Sequence, residues 1–189
     1  MVIKDIYEEC PTYKNRLVTL RQTNAGDAGG LLQCYSDEKA VPFFNSDNCH
    51  GDDFHYITLE RMKQAIDFWD FSYKNRYFVR WTIIFNDTGE KIGTLEMFHR
   101  IAEDEFNHYG VLRIDLQSSY ETRPVICGIL QITNEHFFRA FDVKAILTKA
   151  VPAAAERIAA LKETGYRPLD KKLMIYGDYY VIYNTTGNC

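Results

Sequence analysis

The sequence predicts a single α/β domain that spans residues 1–189, and three observations support this prediction. The length of 189 residues is close to that of one domain and is enough to bury a core without disulfide or metal staples. Short β-rich runs alternate along the chain with longer segments in which apolar residues recur at helical spacing. Hydrophobic residues make up 46% of the chain and charged residues 25%, and no apolar run approaches the ~20 residues that a bilayer-spanning helix needs. We therefore expect a globular protein without a membrane span.

The chain opens with a predicted strand followed by a helix. Residues 17–21 form a short β-rich run. The polar residues 24–27 then offer capping groups for a helix that runs through about Tyr35.

A loop and a second helix are predicted next. Residues 41–56 mix turn-forming and aromatic residues, which indicates an irregular loop. The helix after it is capped at about Thr58 and continues to about Tyr73, although Arg61 stands where a capping box would have an acidic or amide side chain. The predicted core face of this helix carries Leu59, Met62, Ile66 and Trp69.

Three strands are predicted in the middle of the chain. Residues 77–85 and 91–99 are β-rich runs, and the turn-forming residues 86–90 between them have the length of a hairpin connection. Residues 111–116 form a third run that alternates in character. This alternation places Leu112, Ile114 and Leu116 on a core face, and Arg113 and Asp115 on a face that we expect to be wetter.

The last third predicts a helix, a strand, a helix and a hairpin. Pro124 is suited to the first turn of a helix, where its missing N–H is harmless, and Gly165 is suited to the C-cap of the last helix. The predicted bounds are a helix over 126–138, a buried strand over 143–148, a helix over 153–164, and a hairpin of 173–176 with 179–183 around Gly177 and Asp178. The predicted order of elements is therefore βαα βββ αβα ββ.

Charge, cysteine content and the first residues limit the class of protein. A net charge of -4 and a pI near 5.7 argue against a nucleic-acid partner, which needs clustered Lys and Arg. The first nine residues carry acids where a secretory signal would be apolar, so we expect no export and a cytoplasmic location. The five cysteines are odd in number and scattered, and we expect reduced thiols. Cys49, His50 and His55 fit no standard zinc spacing, so no metal is expected.

Three short phrases occur in order along the chain: RLVTLR at 16–21 with Asp27 after it, DTGEKIGT at 87–94 and LKETGY at 161–166. In this order they resemble the GNAT superfamily of N-acetyltransferases over nearly the whole chain, especially the branch that acetylates the amino-terminal alanine of ribosomal proteins. The resemblance implies a bent mixed sheet of about seven strands with helices on both faces. It also implies that the strands at 111–116 and 143–148 splay apart at one end, where acyl coenzyme A enters.

The resemblance further implies which residues hold the cofactor. The pantetheine arm is expected to bond backbone groups near Ile114 and Leu116, and the pyrophosphate is expected on backbone N–H groups at the start of the next helix. The cofactor-binding residues implied in this way are Ile114, Leu116, Glu121, Thr122, Arg123, Val125, Ile126 and, in the last helix, Ala154.

The sequence departs from the family pattern in two places. The phosphate loop of the family reads Arg or Gln, two variable residues, Gly, one variable residue, then Gly or Ala. Here Pro124 and Ile126 take the two small positions, and Glu121 adds a negative charge that Arg123 can partly offset. In the last helix, residues that contact cofactor or substrate are replaced as well, by Ala154, Arg157 and Leu161.

Acetylation of an amine needs a base for the ammonium and a proton for the departing thiolate. Glu96 and Asp115 are the candidate bases, because both are carboxylates in strands expected to line the cleft; the alternative is that each is solvated or paired with an arginine such as Arg113. Tyr120 and Tyr166 are candidate acids or substrate contacts, or else packed tyrosines. Aromatic and histidine side chains on the expected acceptor side are Phe43, Phe44, His50, His55, Tyr56 and Trp69.

Two functions remain open from the sequence. The first is an N-acetyltransferase that uses acetyl coenzyme A as co-substrate, needs no metal, and moves the acetyl group to a primary amine of a small molecule or a protein N-terminus. The second is a catalytically degenerate GNAT-like binding or regulatory module, with a homodimer as one form, and it is motivated by the changes at Pro124, Ile126, Ala154 and Leu161.

Overall fold

The computed structural model of the chain describes residues 5–47 and 49–185. Within these residues the chain forms eight strands and four α-helices. In chain order these are β1 (Tyr13–Lys14), β2 (Val18–Gln22), α1 (Ala28–Tyr35), α2 (Leu59–Lys74), β3 (Val79–Phe85), β4 (Lys91–Arg100), β5 (Tyr109–Leu116), α3 (Arg123–Ala140), β6 (Ala145–Lys149), α4 (Ala155–Glu163), β7 (Arg167–Pro168) and β8 (Tyr179–Tyr183). Cys189 and the first four residues, which entered the expectations about thiols and location, lie outside the described residues.

The strands form one mixed sheet in the order β1-β2-β3-β4-β5-β6-β8-β7. Neighbouring strands are antiparallel except for β5 and β6, which run parallel because α3 carries the chain back between them. The pairing of β5 with β6 ends at Leu112 and Thr148, whereas β5 continues to Leu116 beside β4. The two strands therefore diverge at this end of the sheet, as the sequence resemblance implied.

Helices cover both faces of the sheet. The larger core lies under α3 and α4, where Trp81, Leu95, Leu112 and Ile126 are buried. On the opposite face, α1 and α2 form a second apolar cluster that includes Trp69. The side chains that alternate toward this second face are largely polar, and they position the site described below.

Several local predictions are confirmed. The hairpin of β3 and β4 forms, and the Thr58 hydroxyl accepts a hydrogen bond from the Arg61 N–H at the start of α2. Gly165 follows α4 with φ of 95°, the left-handed conformation that favours glycine at a C-cap. The four described cysteines are free thiols.

Four predictions need correction. Leu59 is 43% exposed because, as the first residue of α2, it lies on the solvent side of the helix. The face of β5 expected to be wetter is covered by α1 and α2, so that Asp115 is only 1% exposed. The predicted hairpin partner of β8 is wrong: β8 pairs with β7, while Leu173 and Tyr176 form only an isolated bridge. The sheet has eight strands among the described residues rather than about seven, because Tyr13–Lys14 adds a short edge strand.

Candidate functional site

A cavity of about 410 Å³ lies on the α1–α2 side of the sheet, between α2, the segment 49–56 and residues of the three strands β3, β4 and β5. Its volume falls in the lower part of the range of small-molecule sites. Its walls are mainly aromatic, and its floor is charged. The lining residues are Cys49, His50, Asp52, Phe54, Tyr56, Arg61, Ala65, Phe68, Trp69, Tyr77, Phe78, Arg80, Glu96, Phe98 and Arg113.

The floor is organised around the buried Arg80 guanidinium on β3. Its Nε donates to Glu96 Oε2 at 3.1 Å, and its Nη2 donates to the same oxygen. Its Nη1 lies 3.2 Å from Asp115 Oδ2 and 3.0 Å from Thr94 Oγ1. The Trp69 ring of α2 covers the guanidinium at 4.2 Å, so that this cation is held by two carboxylates below and an aromatic face above.

The two candidate bases are placed differently around Arg80. Burial raises the pKa of Glu96, but the charges of Arg80 and Arg113 outweigh it, and the pKa of Glu96 is lowered from its ordinary value. Burial dominates at Asp115 and raises its pKa, despite Arg80 and a hydrogen bond of 2.9 Å from the Tyr35 hydroxyl. Glu96 therefore lines the cavity as a weak base, and Asp115 is enclosed beneath it.

A segment from the loop after α1 bridges the two strands where they diverge. The Asp47 carboxylate lies 2.7 Å from the Lys149 ammonium at the end of β6, and the Asp47 carbonyl accepts a hydrogen bond of 3.2 Å from Arg113 on β5. The Tyr179 hydroxyl of β8 also donates to the Asp47 carboxylate, at 3.2 Å. The gap between β5 and β6 is thus spanned on this face by the chain itself.

Two backbone donors, one in the loop between β5 and α3 and one at the start of α3, bond to carboxylates of the same chain. The Ser118 N–H donates to Asp37 Oδ2 at 2.8 Å, and the Arg123 N–H donates to Glu156 Oε2 at 2.8 Å. Between them, the N–H groups of residues 120–122 bond to carbonyls of the loop itself. The carboxylate of Glu156 therefore already lies at the positive end of α3.

A buried ion pair closes the same region. Arg157 of α4 donates to Glu121 through Nε at 2.6 Å and through Nη2 at 2.7 Å, and its Nη1 donates to the Phe43 carbonyl at 3.0 Å. The side chains of Arg157 and Glu121 are only 3% and 7% exposed. Nearby, the Arg123 side chain lies 3.6 Å from the Glu163 carboxylate. This network joins α4, the loop after β5 and the loop after α1.

Among the predicted catalytic residues, only Glu96 reaches the cavity. Asp115 lies behind it, and Tyr120 is elsewhere, with its ring 5.2 Å from that of Phe85 and its hydroxyl bonded to Glu90. Tyr166 is buried in the core below α3. Of the six aromatic and histidine residues expected on the acceptor side, His50, Tyr56 and Trp69 line the cavity.

The predicted cofactor residues are spread along the diverging end of the sheet. The side chains of Ile114, Leu116, Val125 and Ile126 are buried in the larger core, so that at these positions only the backbone can meet a ligand. Thr122 is the N-cap of α3 without a side-chain capping bond, and Ala154 is the buried N-cap of α4. Glu121 and Arg123 are engaged by Arg157 and by Glu156 with Glu163.

Sequence reasoning missed Arg80 and Tyr35, the two residues that organise the floor. The signal for Arg80 was present, because a buried strand with Arg80 and Thr82 on one face needs a partner for the charge. The antiparallel register then places Glu96 directly opposite Arg80. Tyr35 carried no such signal, since its contact with Thr94 and Asp115 depends on how α1 packs on the sheet.

No helix of the described residues is long and apolar enough to cross a bilayer. The same residues hold no cluster of three or more His, Cys, Asp or Glu side chains placed to bind a metal ion.

The sheet order, the divergence of β5 from β6 and the four helices define the α/β fold of GNAT acetyltransferases. The ribosomal-protein-S5-alanine acetyltransferase from Vibrio fischeri is similar with a TM-score of 0.70 and 17% identity, over 95% of this chain and 100% of that chain. RimJ from Mycobacterium smegmatis, in complex with CoA-disulfide, gives a TM-score of 0.73 and 14% identity over 91% and 86% of the two chains. A GNAT-family acetyltransferase from Bacillus anthracis gives 0.66 and 13% over 92% and 98%.

At these identities the likeness establishes the fold. No protein-family model matches the sequence. No curated protein matches it in a sequence comparison.

Proposed function

We propose that this chain is a ligand-binding protein built on the GNAT fold, in which the groove for coenzyme A is closed and acyl transfer does not occur. The observation that carries the proposal is the occupation of the phosphate-binding donors by the chain's own carboxylates. Glu156 takes the Arg123 N–H inside the loop where the resemblance places a pyrophosphate, and Asp37 takes the Ser118 N–H in the segment just before that loop.

Coenzyme A does not fit these residues for two physical reasons. The start of α3 offers a pyrophosphate fewer N–H groups than an ordinary helix start, because Pro124 has none and the N–H of Arg123 is bonded to Glu156. The carboxylates of Asp37 and Glu156 would also repel the incoming phosphates, and two like charges 4 Å apart repel by about 4 kcal/mol at an effective dielectric constant of 20.

The cavity side supports the same conclusion. A general base works best when its pKa lies near the working pH, whereas the pKa of Glu96 is lowered by two guanidinium groups. Asp115 is enclosed by Arg80, Tyr35 and Thr94. At the position where the family resemblance implies a tyrosine acid, Leu161 is fully buried and carries no proton to donate.

A second candidate function is supported by a different observation. RimJ from M. smegmatis binds a form of coenzyme A on this fold, and the cavity here borders β5, the strand along which the resemblance places the pantetheine arm. The candidate is an acyl-coenzyme-A-dependent N-acetyltransferase that acts on a primary amine of a small molecule or protein N-terminus.

Calorimetric titration with acetyl coenzyme A, with desulfo-coenzyme A as the control ligand, tests the proposal. We expect no heat of binding with either ligand at 1 mM, and no release of free thiol from acetyl coenzyme A with a panel of small amines and alanine- or serine-initiated peptides. Binding in the micromolar range together with amine-dependent thiol release would establish the enzyme instead.

A variant series tests whether the closed groove is the reason. Asp37→Asn with Glu156→Gln removes both repelling charges, and Pro124→Gly with Ile126→Ala restores the small residues of the loop. We expect the fourfold variant to gain measurable affinity for desulfo-coenzyme A. The matched control carries Asp70→Asn and Glu103→Gln, two exposed acids away from the groove. If the natural chain already binds and the fourfold variant binds less tightly, the loop is an active variant and the proposal is wrong.

A further inference from the structure

The two guanidinium groups in the floor of the cavity are satisfied to different degrees. Arg80 is 2% exposed, and all three of its nitrogens donate to buried oxygens. Arg113 is 14% exposed. Its contacts are the Cys49 thiol at 3.3 Å, the Asp47 carbonyl at 3.2 Å and Glu96 Oε1 at 3.4 Å. Its Nε has no partner.

Arg113 therefore lacks a carboxylate of its own. Glu96 is shared with Arg80, which donates to it twice, and the Glu96 oxygen near Arg113 lies beyond the usual range of a charge-assisted bond. A thiol is a weak acceptor, and a carbonyl carries no net charge. A guanidinium presents five donors in a flat fork that matches a carboxylate, so this arrangement favours a further anion.

The other charged residues around the cavity do not supply Arg113 with a carboxylate partner. Asp115 lies behind Arg80 and bonds to it, and it does not line the cavity. At the mouth, Arg61 and Asp52 neutralise each other at 2.7 Å. An ammonium group that reached the floor would approach Arg80 and Arg113 together, and Glu96 is already engaged by both.

The walls specify the body of the ligand. Phe54, Tyr56 and Trp69 are nearly fully buried and still border the cavity, as do Phe78, just before β3, and Phe98 of β4. Aromatic side chains of this kind offer large, rigid apolar faces that pack best against flat apolar groups. The volume of about 410 Å³ suits a small molecule rather than a peptide segment.

We propose that this cavity binds a small organic acid with a flat apolar body, whose carboxylate pairs with the Arg113 guanidinium. The inference deepens the proposed binding function, because it names the class of ligand for the same cavity. It distinguishes the chain from an enzyme for amines, whose acceptor carries the opposite charge.

Three probes with one body and different head groups test the proposal: 3-phenylpropionate, 3-phenylpropanamide and 3-phenylpropylamine. We expect the carboxylate to bind at least tenfold more tightly than the neutral amide in calorimetry, and the amine to give no binding. Saturated 3-cyclohexylpropionate, which is thicker, should bind more weakly than 3-phenylpropionate. Binding should change the fluorescence of the chain, since Trp69 lines the cavity, and Trp69→Phe should remove that change.

Variants of Arg113 show whether this guanidinium itself selects the carboxylate, or whether the net charge of the protein does. Arg113→Met should abolish the preference for the carboxylate, and Arg113→Lys should recover part of it. Arg139→Met makes the same change of charge on an exposed residue of α3 and should leave binding unaltered. The comparison of head groups uses the unaltered protein, so it holds even if an Arg113 variant fails to fold.

The inference is overturned if the amide or the amine binds as tightly as the carboxylate, or if no probe binds at 10 mM. It is equally overturned if Arg113→Met keeps the preference. None of these results depends on coenzyme A, so the inference can fail while the groove remains closed, and binding of coenzyme A would refute the proposed function without deciding which head group the cavity prefers.

Discussion

The Glu121–Arg157 ion pair joins α4 to the loop after β5, and its contribution to stability can be tested sharply because removal of one partner leaves a buried charge. Arg157→Met takes away two charge-assisted hydrogen bonds to Glu121 and the bond to the Phe43 carbonyl. Glu121, whose side chain is 7% exposed in the unaltered protein, would then lose its cation. Breaking a buried pair in this way costs about 3–5 kcal/mol, a large part of the stability of an ordinary domain.

The assay is urea unfolding followed by fluorescence, with thermal unfolding as a second measure. For a chain of this length, each kcal/mol shifts the melting temperature by about 2–4 °C, so Arg157→Met should melt roughly 10 °C lower. Arg139→Met, on the exposed face of α3, serves as control and should stay within about 0.5 kcal/mol of the unaltered protein.

The double variant decides whether the ion pair is the cause. Glu121→Leu with Arg157→Met replaces both charges by apolar groups, and replacement of a whole buried pair is often neutral or stabilising. We therefore expect the double variant to recover most of the loss in Arg157→Met. A loss below about 1 kcal/mol in the single variant, or simple additivity in the double variant, would refute the claim that this ion pair holds α4 to the loop after β5.

Three further outcomes follow from the fold. Burial raises the pKa of Asp27, but the hydrogen bonds from Arg21, Asn24, Thr82 and Lys91 outweigh it and lower the pKa below its ordinary value of 3.8. The stabilisation is therefore present above about pH 4 and is lost as the pH falls through the pKa of the folded state. Asp27→Asn should cost about 2 kcal/mol at pH 7 and progressively less in urea titrations toward pH 2. Gly93→Ala would place a Cβ 1.9 Å from the Asp115 carbonyl oxygen, at a residue with φ of 156°, and should cost about 2 kcal/mol or more. In α1, a Cβ at Gly29 meets nothing within 4 Å, so Gly29→Ala should stabilise the protein by about 0.5 kcal/mol. Equal effects of the two variants in urea unfolding would contradict this prediction. Thr58→Ala removes the cap on the Arg61 N–H and should cost about 1 kcal/mol, with Thr88→Ala in the β3–β4 turn as the exposed control.

The elements that the sequence predicted well are those whose signals are local. Two β-rich runs with turn-forming residues between them indicate the β3–β4 hairpin, and one glycine indicates the end of α4. The β7 strand was missed because it has only two residues and includes Pro168, so that no alternation can reveal it. The exposure of Leu59 depends on the angle at which α2 lies on the sheet, which one apolar stripe does not define.

The site could be predicted only in part, for a related reason. Alternation correctly placed Asp115 on the face opposite Ile114. Whether that face is wet depends on what covers it, and the covering helix α1 is distant along the chain. Asp115 was therefore expected to face solvent, although Tyr35 of α1 buries it.

The contacts at the start of α3 and those around the cavity both support a ligand-binding role for this fold. At the start of α3, the chain supplies its own carboxylates to donors that a cofactor would otherwise meet, and it does so from α4 and from the loop after α1. Around the cavity the reverse holds, because Arg113 has donors that the chain leaves without a carboxylate of their own. A structure that fills one anion site from within and leaves another open for a ligand is suited to binding, and its selectivity should depend on Arg113 rather than on Glu96.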